Sequence, residues 1–539
     1  MTNPNSNSSS GDLKLEVAHK EATATGTGEL GGVEYSLADA ISYEQAEHDM
    51  TVWGAIKSYP GAIFWTLIIA MTIIMEGYDL ALVGNLIAQP AFQKKFGRYV
   101  SESAGYQVPA SWQSGLAQAA NMGSMVGIFI AAPCADRWGY KKTTLGGLVA
   151  MNALIFIMFF AENLSVLLAG QFLCALPWGA FVACAPAYAS EVAPLRLRNI
   201  LTLYIQLCWT AGQFICAGIM YSFAEGGSKW AYKIPIAIQW AWPGPLLLIL
   251  LFAPESPWWL TRKRRFAEAE KSAKRLGGSQ RPMDEHMAFM MRTIATEEAA
   301  ENGVKILDLF KGVDLRRTLI VCFIHSAAYY TGLALGLQST YFFQQAGLST
   351  NSSFALSMGN FGLQVFAVLL SFVLTTYVGR RTIWLAGTGF NTVMLFVIAI
   401  INTVAKKDNA GASWGQAVLC IFVFFSYGLC LGPIIWITIA ETSSIRLRSL
   451  SVGLSRVAYY ILSIPAIILN NYMLNPDAWN LSGKCGYFWG GTCFVLFVVS
   501  YLGFPELKDR SYREIDILFH RKVSARKFAG TKLEITDDE

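Results

Sequence analysis

Twelve apolar runs, each long enough to cross a bilayer, constrain this chain of 539 residues more than any other feature it has. A spanning helix needs roughly 20 predominantly apolar residues to cover a hydrocarbon core about 30 Å thick. The runs lie near residues 64–88, 113–134, 144–161, 165–189, 200–222, 235–253, 318–343, 354–378, 383–404, 415–439, 450–473 and 487–504. No water is available inside lipid to satisfy backbone amides, so runs of this length predict helices. The expected fold class is an all-α membrane protein with 12 transmembrane helices.

Composition agrees where it bears on the point. Only 15% of residues are charged, against about 25% in a soluble globular chain. A net charge of +5 is too modest to suggest nucleic acid. The ten cysteines form no CxxC pair and no cluster with histidine, so they read as small buried hydrophobes, and neither metal nor cofactor is expected. Residues 1–55 are polar and lack the basic-then-apolar layout of a signal peptide, which predicts a disordered cytoplasmic tail. The remaining divisions are an N-terminal bundle over 56–253, a polar cytoplasmic loop over 254–317, a C-terminal bundle over 318–504 and a cytoplasmic tail over 505–539.

Orientation is read from Lys and Arg in loops near the spans. The middle loop (Arg262, Lys263, Arg264, Arg265) and the C-terminal tail (Arg521, Lys522, Arg526, Lys527) place both termini inside. The sequons at Asn163, Asn351 and Asn480 then fall in outer loops as glycosylation candidates.

The chain also repeats itself. Asp136-Arg137-Trp138-Gly139-Tyr140-Lys141-Lys142 follows the second run, and Val378-Gly379-Arg380-Arg381 follows the eighth, with 240 residues from Gly139 to Gly379. Glu191 and Arg198 after the fourth run return as Glu441 and Arg448 after the tenth, at an offset of 250. Pro254-Glu255-Ser256 returns as Pro505-Glu506-Leu507 at an offset of 251. Three landmarks at nearly one spacing imply two homologous six-helix bundles, the plan on which secondary transporters are built, with solute bound between the halves.

From about residue 55 to 528 these landmarks resemble the sugar porter family of the major facilitator superfamily, through DRWGYKK, EVAPLRLRN, PESPWWL, VGRR and GPIIWITIAE. EGYDLALVGN, LPWGAF, QLCWTAGQ, YMLNPDAWN, GYFWGG and SARKF are similar to fungal α-glucoside permeases of the maltose type. The resemblance implies a major facilitator fold and a monomer that imports an α-glucoside or related sugar with a proton across the plasma membrane. Its partners are then a sugar-like solute, a proton and the lipid bilayer.

Several residues stand out chemically. Glu76 and Asp79 lie in the first run, where a carboxylate costs about 2.5–3.5 kcal/mol on insertion scales and so faces a cavity or a partner. Their spacing places them on one helix face. The resemblance makes this acidic pair the proton carrier, and the alternative is a structural pair at a helix interface. Arg456, in the eleventh run, either pairs with one of them or snorkels to the surface. The resemblance leads one to expect an arginine in the fourth run, where Gln171 stands, so Arg456 is the leading countercharge. Gln206 and Gln213 offer amide donors and acceptors suited to hydroxyls. Trp436 offers a ring face, and Tyr330 a hydroxyl. Tyr330, with Tyr329 and Thr331, is a source of hydroxyls in the seventh run. The resemblance makes both glutamines and Trp436 solute ligands, with helix packing as the alternative. It also casts Asp136, Arg137, Lys141, Glu191, Arg198, Arg380, Arg381, Glu441 and Arg448 as a latch that joins the halves in the outward-facing state. His325 reads as a core histidine outside the site.

Two positions depart from the pattern. Ala328 stands about where these permeases carry a glutamine, and Ser124 stands where they carry an acid. A same-fold carrier for a polyol, cyclic acid or secondary metabolite, possibly working as an exporter, is therefore an alternative. A non-transporting nutrient receptor is a more remote one, because the C-terminal tail is short. The sequence holds no P-loop, HExxH or G-x-S-x-G motif, so neither ATP-driven transport nor an enzyme is expected.

Overall fold

The computed structural model describes residues 26–102, 105–277, 282–301, 306–405, 409–443, 447–508, 510 and 512–531. Among the described residues, eleven helices are long and apolar enough to span a membrane. Leu195–Ser222, 28 residues long, is a twelfth helix packed beside them. The first six are Pro60–Ala88, Ala110–Trp138, Tyr140–Phe159, Leu164–Val192, Leu195–Ser222 and Trp230–Leu250. The second six are Gly312–Leu337, Thr350–Tyr377, Arg380–Val404, Ala410–Ile439, Leu450–Leu474 and Ser482–Gly503. With an even number of spans among the described residues, residues 26 and 531 lie on one face, called the terminus face below.

Lipid supplies no hydrophobic drive between helices, so close approach depends on small residues. The first and fifth spans cross where Gly77 meets the Trp209 carbonyl and Gly212 meets that of Ile74; a Cβ at either glycine would collide with backbone. The second and fourth spans cross in the same way at Gly123, Gly127 and Gly179. The first span is consequently central, with every residue from Thr72 to Ala88 buried except Leu80. A helix packed on all sides is apolar all round, so Glu76 and Asp79 are conspicuous within it.

Two spans of the second half carry a single i→i+5 turn each, over Tyr329–Leu333 and Tyr427–Leu431. Gly332 supplies the positive φ of 96° that the first of these turns needs. Such turns tend to occur at functional sites.

The termini depart from expectation. Disorder is expected through residue 55, yet the chain is folded from residue 26 onward. Thr27–Leu30 and Val33–Ser36 form a hairpin, and the helices Leu37–Asp49 and Val52–Ser58 follow. The expected loop over 254–317 likewise contains the helices Pro257–Arg262, Phe266–Leu276 and Met283–Glu301. The physical reason is mutual burial. Leu30 packs with Trp259, Leu260, Met287, Met290, Met291 and Ile294. Tyr43 stacks on His286 with ring centroids 4.6 Å apart, and Glu44 pairs with Arg292 at 3.0 Å. Neither segment has a core alone, which is why each reads as polar chain. Residues 1–25 lie outside the described residues.

Candidate functional site

A cavity of about 400 Å³ lies between the two halves. The first half contributes Glu76, Asn121, Ser124, Trp178, Gln206 and Trp209, and the second His325, Tyr329, Tyr427, Trp436, Arg456, Tyr459 and Tyr460. Its volume is at the lower end of ligand pockets, roughly 300–1,000 Å³. The lining continues to Pro186, Val452 and Gly453, so the cavity runs from the middle of the molecule toward the terminus face.

The opposite end is tied shut by polar contacts between the halves. Thr340 donates to Asn85 at 2.6 Å, Tyr341 to Gln107 at 3.0 Å, and Gln344 to the Ala88 carbonyl at 2.9 Å. Asn475 reaches the Val108 carbonyl at 2.8 Å, and Arg98 pairs with Asp477. Nearer the middle, Gln118 donates to the Ile464 carbonyl at 2.9 Å, and Ser124 and Tyr460 share a hydrogen bond of 3.2 Å. The molecule is therefore closed on the face opposite the terminus face.

The two carboxylates of the first span part company here. Glu76 lines the cavity. Asp79 is wholly buried behind it, where it accepts hydrogen bonds from Gln171 of the fourth span and, at 2.9 Å, from Gln239 of the sixth. Three residues turn a helix about 300°, leaving roughly 60° between the side chains. In a span packed on all sides that angle separates cavity from helix interface, so the expectation of a shared face is corrected. Gln171, at the position where an arginine is expected, is the neutral partner of Asp79.

Arg456 lines the cavity and does not snorkel. Its guanidinium lies 5.3 Å from the Trp436 ring and 5.5 Å from each of Tyr459 and Tyr460. Among the described residues it forms no ion pair, and its Nε lacks a hydrogen-bond partner. Aromatic faces thus stand where a carboxylate contact is expected. His325, expected outside the site, is part of it: its Nδ1 lies 3.1 Å from Ser455 Oγ, and its ring meets Trp436 edge-on at 5.3 Å. It buttresses the tryptophan. A lone histidine gives no sequence signal of that role.

Gln206 and Trp436 fall in the cavity as expected, and two other residues do not. Gln213 is buried, and neither atom of its amide finds a hydrogen-bond partner among the described residues. Seven residues advance a helix by about 10.5 Å, which carries it past the cavity toward the closed end. Tyr330 faces away: its hydroxyl donates to the Leu462 carbonyl at 2.9 Å, and its ring borders an outer groove with Tyr487 and Phe488. The i→i+5 turn there presents Tyr329 to the cavity instead, a register shift that sequence spacing cannot reveal.

The expected latch residues gather on the terminus face, where those of the first half meet the middle segment and Arg380 meets Glu441 within the second half. Asp136 pairs with Lys263 at 2.7 Å, Glu191 with Arg262 at 2.6 Å, and Arg380 with Glu441 at 3.1 Å. Lys141 donates to the Leu251 carbonyl at 2.8 Å, and Arg381 to that of Tyr501 at 2.6 Å. Arg137 is exposed. The side chains of Arg198 and Arg448 lie outside the described residues. Asn163, Asn351 and Asn480 are exposed on the opposite face.

Twelve spans in two halves around a central cavity closed at one end define a membrane carrier. The family model described as sugar (and other) transporter matches residues 65–519, and the chain belongs to that family. A maltose permease of Saccharomyces cerevisiae is 36% identical over 510 residues, covering 93% of this chain and 83% of the relative. A general alpha-glucoside permease of the same yeast is 36% identical over 542 residues, covering 97% and 87%. Among solved structures, the inward open xylose transporter XylE from E. coli matches with a TM-score of 0.64 at 17% identity, covering 85% of this chain and 99% of that one. The same protein, described as a major facilitator superfamily proton:xylose symporter bound to a bromodeoxyglucose, matches at 0.66 over 86% and 100%. The fold is the major facilitator fold.

Proposed function

We propose that this carrier imports an α-glucoside or related sugar by proton symport across the plasma membrane, as a monomer with both termini in the cytoplasm. The observation that carries this reading is the meeting of Glu76, Arg456, Gln206 and Trp436 in one cavity between the halves. The similarity to maltose and alpha-glucoside permeases supports the solute class.

Each part has a role. Gln206, Asn121 and Ser124 offer hydrogen bonds to hydroxyls, and Trp436, Trp209 and Trp178 offer ring faces to the C–H face of a sugar. Glu76 is the proton carrier. When it is ionised, its charge and that of Arg456 balance within the cavity; when it is protonated, the balance is lost. That difference couples proton to conformation. Asp79, held by two amides, positions the first span. The terminus face is the cytoplasmic one, so the state described is inward-facing. The three sequons then face outward. A gradient of one pH unit contributes about 1.4 kcal/mol and about 100 mV contributes roughly 2.3 kcal/mol, together several-hundred-fold accumulation per proton.

A second reading, the same carrier for another hydroxylated or cyclic solute, is favoured by Ala328. That residue lines the cavity where an amide is expected. Adding maltose to a lightly buffered suspension of yeast expressing the carrier tests the first reading. Symport makes the medium more alkaline in step with uptake. No alkalinisation with maltose, and a response to a polyol or cyclic acid, selects the second.

A further inference from the structure

The two halves build the same corner with one difference. In the second half, the turn at Gly379 brings the Arg380 and Arg381 amides onto Glu506 at 2.8 and 3.1 Å, and the Arg380 guanidinium onto Glu441. In the first half, the turn at Gly139 (φ 93°) brings the Tyr140 and Lys141 amides onto Glu255 at 3.0 and 3.1 Å. A Cβ at either glycine would collide with the facing carboxylate. The repeat aligns Tyr140 with Arg380, so a phenol stands where the second half has a guanidinium. Tyr140 still reaches Glu191, donating its hydroxyl at 3.0 Å, but it brings no charge.

The charge comes from elsewhere. Arg262, at the end of the short helix after the sixth span, places Nη1 2.6 Å from Glu191 and Nη2 3.5 Å from Glu297. Among the described residues it is the cation in ion-pair contact with Glu191. Burial opposes its charge, and Glu191 and Glu297 more than offset that, so the guanidinium is held protonated more firmly than usual. Glu297 belongs to the helix Met283–Glu301, on which the N-terminal segment is docked through Tyr43 and Glu44.

From this asymmetry we infer that Arg262 is the positioning residue for Glu191, replacing the arginine that the repeat would place at 140. The fourth-span end of the latch is therefore held from the middle segment, and the N-terminal segment, through the helix that bears Glu297, steadies that hold. The second half holds Glu441 from its own ninth span.

Arg262→Gln, Arg262→Lys, Tyr140→Arg and the double variant Tyr140→Arg/Arg262→Gln test this in the full-length carrier. Initial sugar uptake is normalised to surface protein, and hydrogen exchange over residues 186–194 and 257–262 is read on the purified carrier. Arg262→Gln is expected to lower the maximal rate about tenfold with KM unchanged, because it lies outside the cavity, and to speed exchange in both segments. Arg262→Lys keeps most of the rate. The double variant is expected to recover the rate and slow exchange at 186–194, because an arginine at 140 restores a cation beside Glu191. If Arg262→Gln fails to reach the surface, recovery of surface level in the double variant supports the inference, and a double variant that remains absent overturns it. A normal rate in Arg262→Gln, or no recovery in the double variant, also overturns it. Exchange does not depend on the solute, so a wild type that takes up no maltose refutes the proposed solute and leaves this test intact.

Discussion

Glu76 and Asp79 stand three residues apart on one helix and belong to different environments: Glu76 lines the central cavity, whereas Asp79 is closed in by the amides of Gln171 and Gln239. This division supports the proposal that Glu76 carries the proton. Glu76→Gln, which keeps the shape and removes the titration, is expected to abolish uphill accumulation while sparing downhill exchange of labelled sugar. Accumulation that persists would remove Glu76 from the coupling step.

Asp79→Asn affects something else. Replacing one oxygen with an N–H sets a donor against an amide donor, and leaving a buried donor unsatisfied costs about 1–3 kcal/mol. A lower melting temperature in detergent is expected, with coupling retained in the surviving protein. A stable but uncoupled Asp79→Asn carrier would reverse the two roles.

Trp436 is held by His325 and covers one side of Arg456. Losing its ring face is expected to cost about 1.4 kcal/mol of solute binding, or roughly tenfold in KM. His325→Ala, which removes the buttress, is expected to raise KM in the same direction by a smaller factor. An unchanged KM in Trp436→Ala would take the ring out of the solute site.

The glycine crossings make a packing prediction. Gly77→Ala places a methyl against backbone and is expected to destabilise by about 1–3 kcal/mol. At Gly146 a Cβ meets nothing within 4 Å, so Gly146→Ala is the control. Thermal unfolding in detergent distinguishes the two.

The N-terminal segment carries a pH dependence. Burial lowers the pKa of His286, stacked under Tyr43, from 6.5 to about 4. Between those values the undocked state binds more protons, so docking strength is complete above about pH 6.5 and falls as pH drops toward 4. Limited proteolysis near residues 27–58 should accelerate over that window. A flat profile, or an unchanged one in His286→Gln, would contradict this.

Much of the fold was legible because lipid makes helix length and apolar content nearly decisive. Offsets near 250 residues mark the two halves in the sequence itself. The site was read less completely. Gln206, Trp436, Glu76 and Arg456 betrayed themselves as polar or amphipathic groups in apolar runs. Spacing does not separate Tyr329, which lines the cavity, from Tyr330, which faces away, because an i→i+5 turn leaves no composition signature. Gln213 shares a helix face with Gln206 but lies two turns toward the closed end. Leu30 and Tyr43 read as part of a polar tail, since the surface that buries them is more than 200 residues away in the chain.

The central claim, proton-driven sugar import, is tested most directly by uptake of labelled maltose in yeast lacking their own α-glucoside carriers, at about pH 5 and about pH 7, with and without a protonophore. Uptake is expected to be faster at the lower pH, to reach an internal concentration above the external one, and to collapse when the protonophore is added. Uptake indifferent to pH and protonophore, or none by carrier shown to be at the cell surface, would contradict that claim.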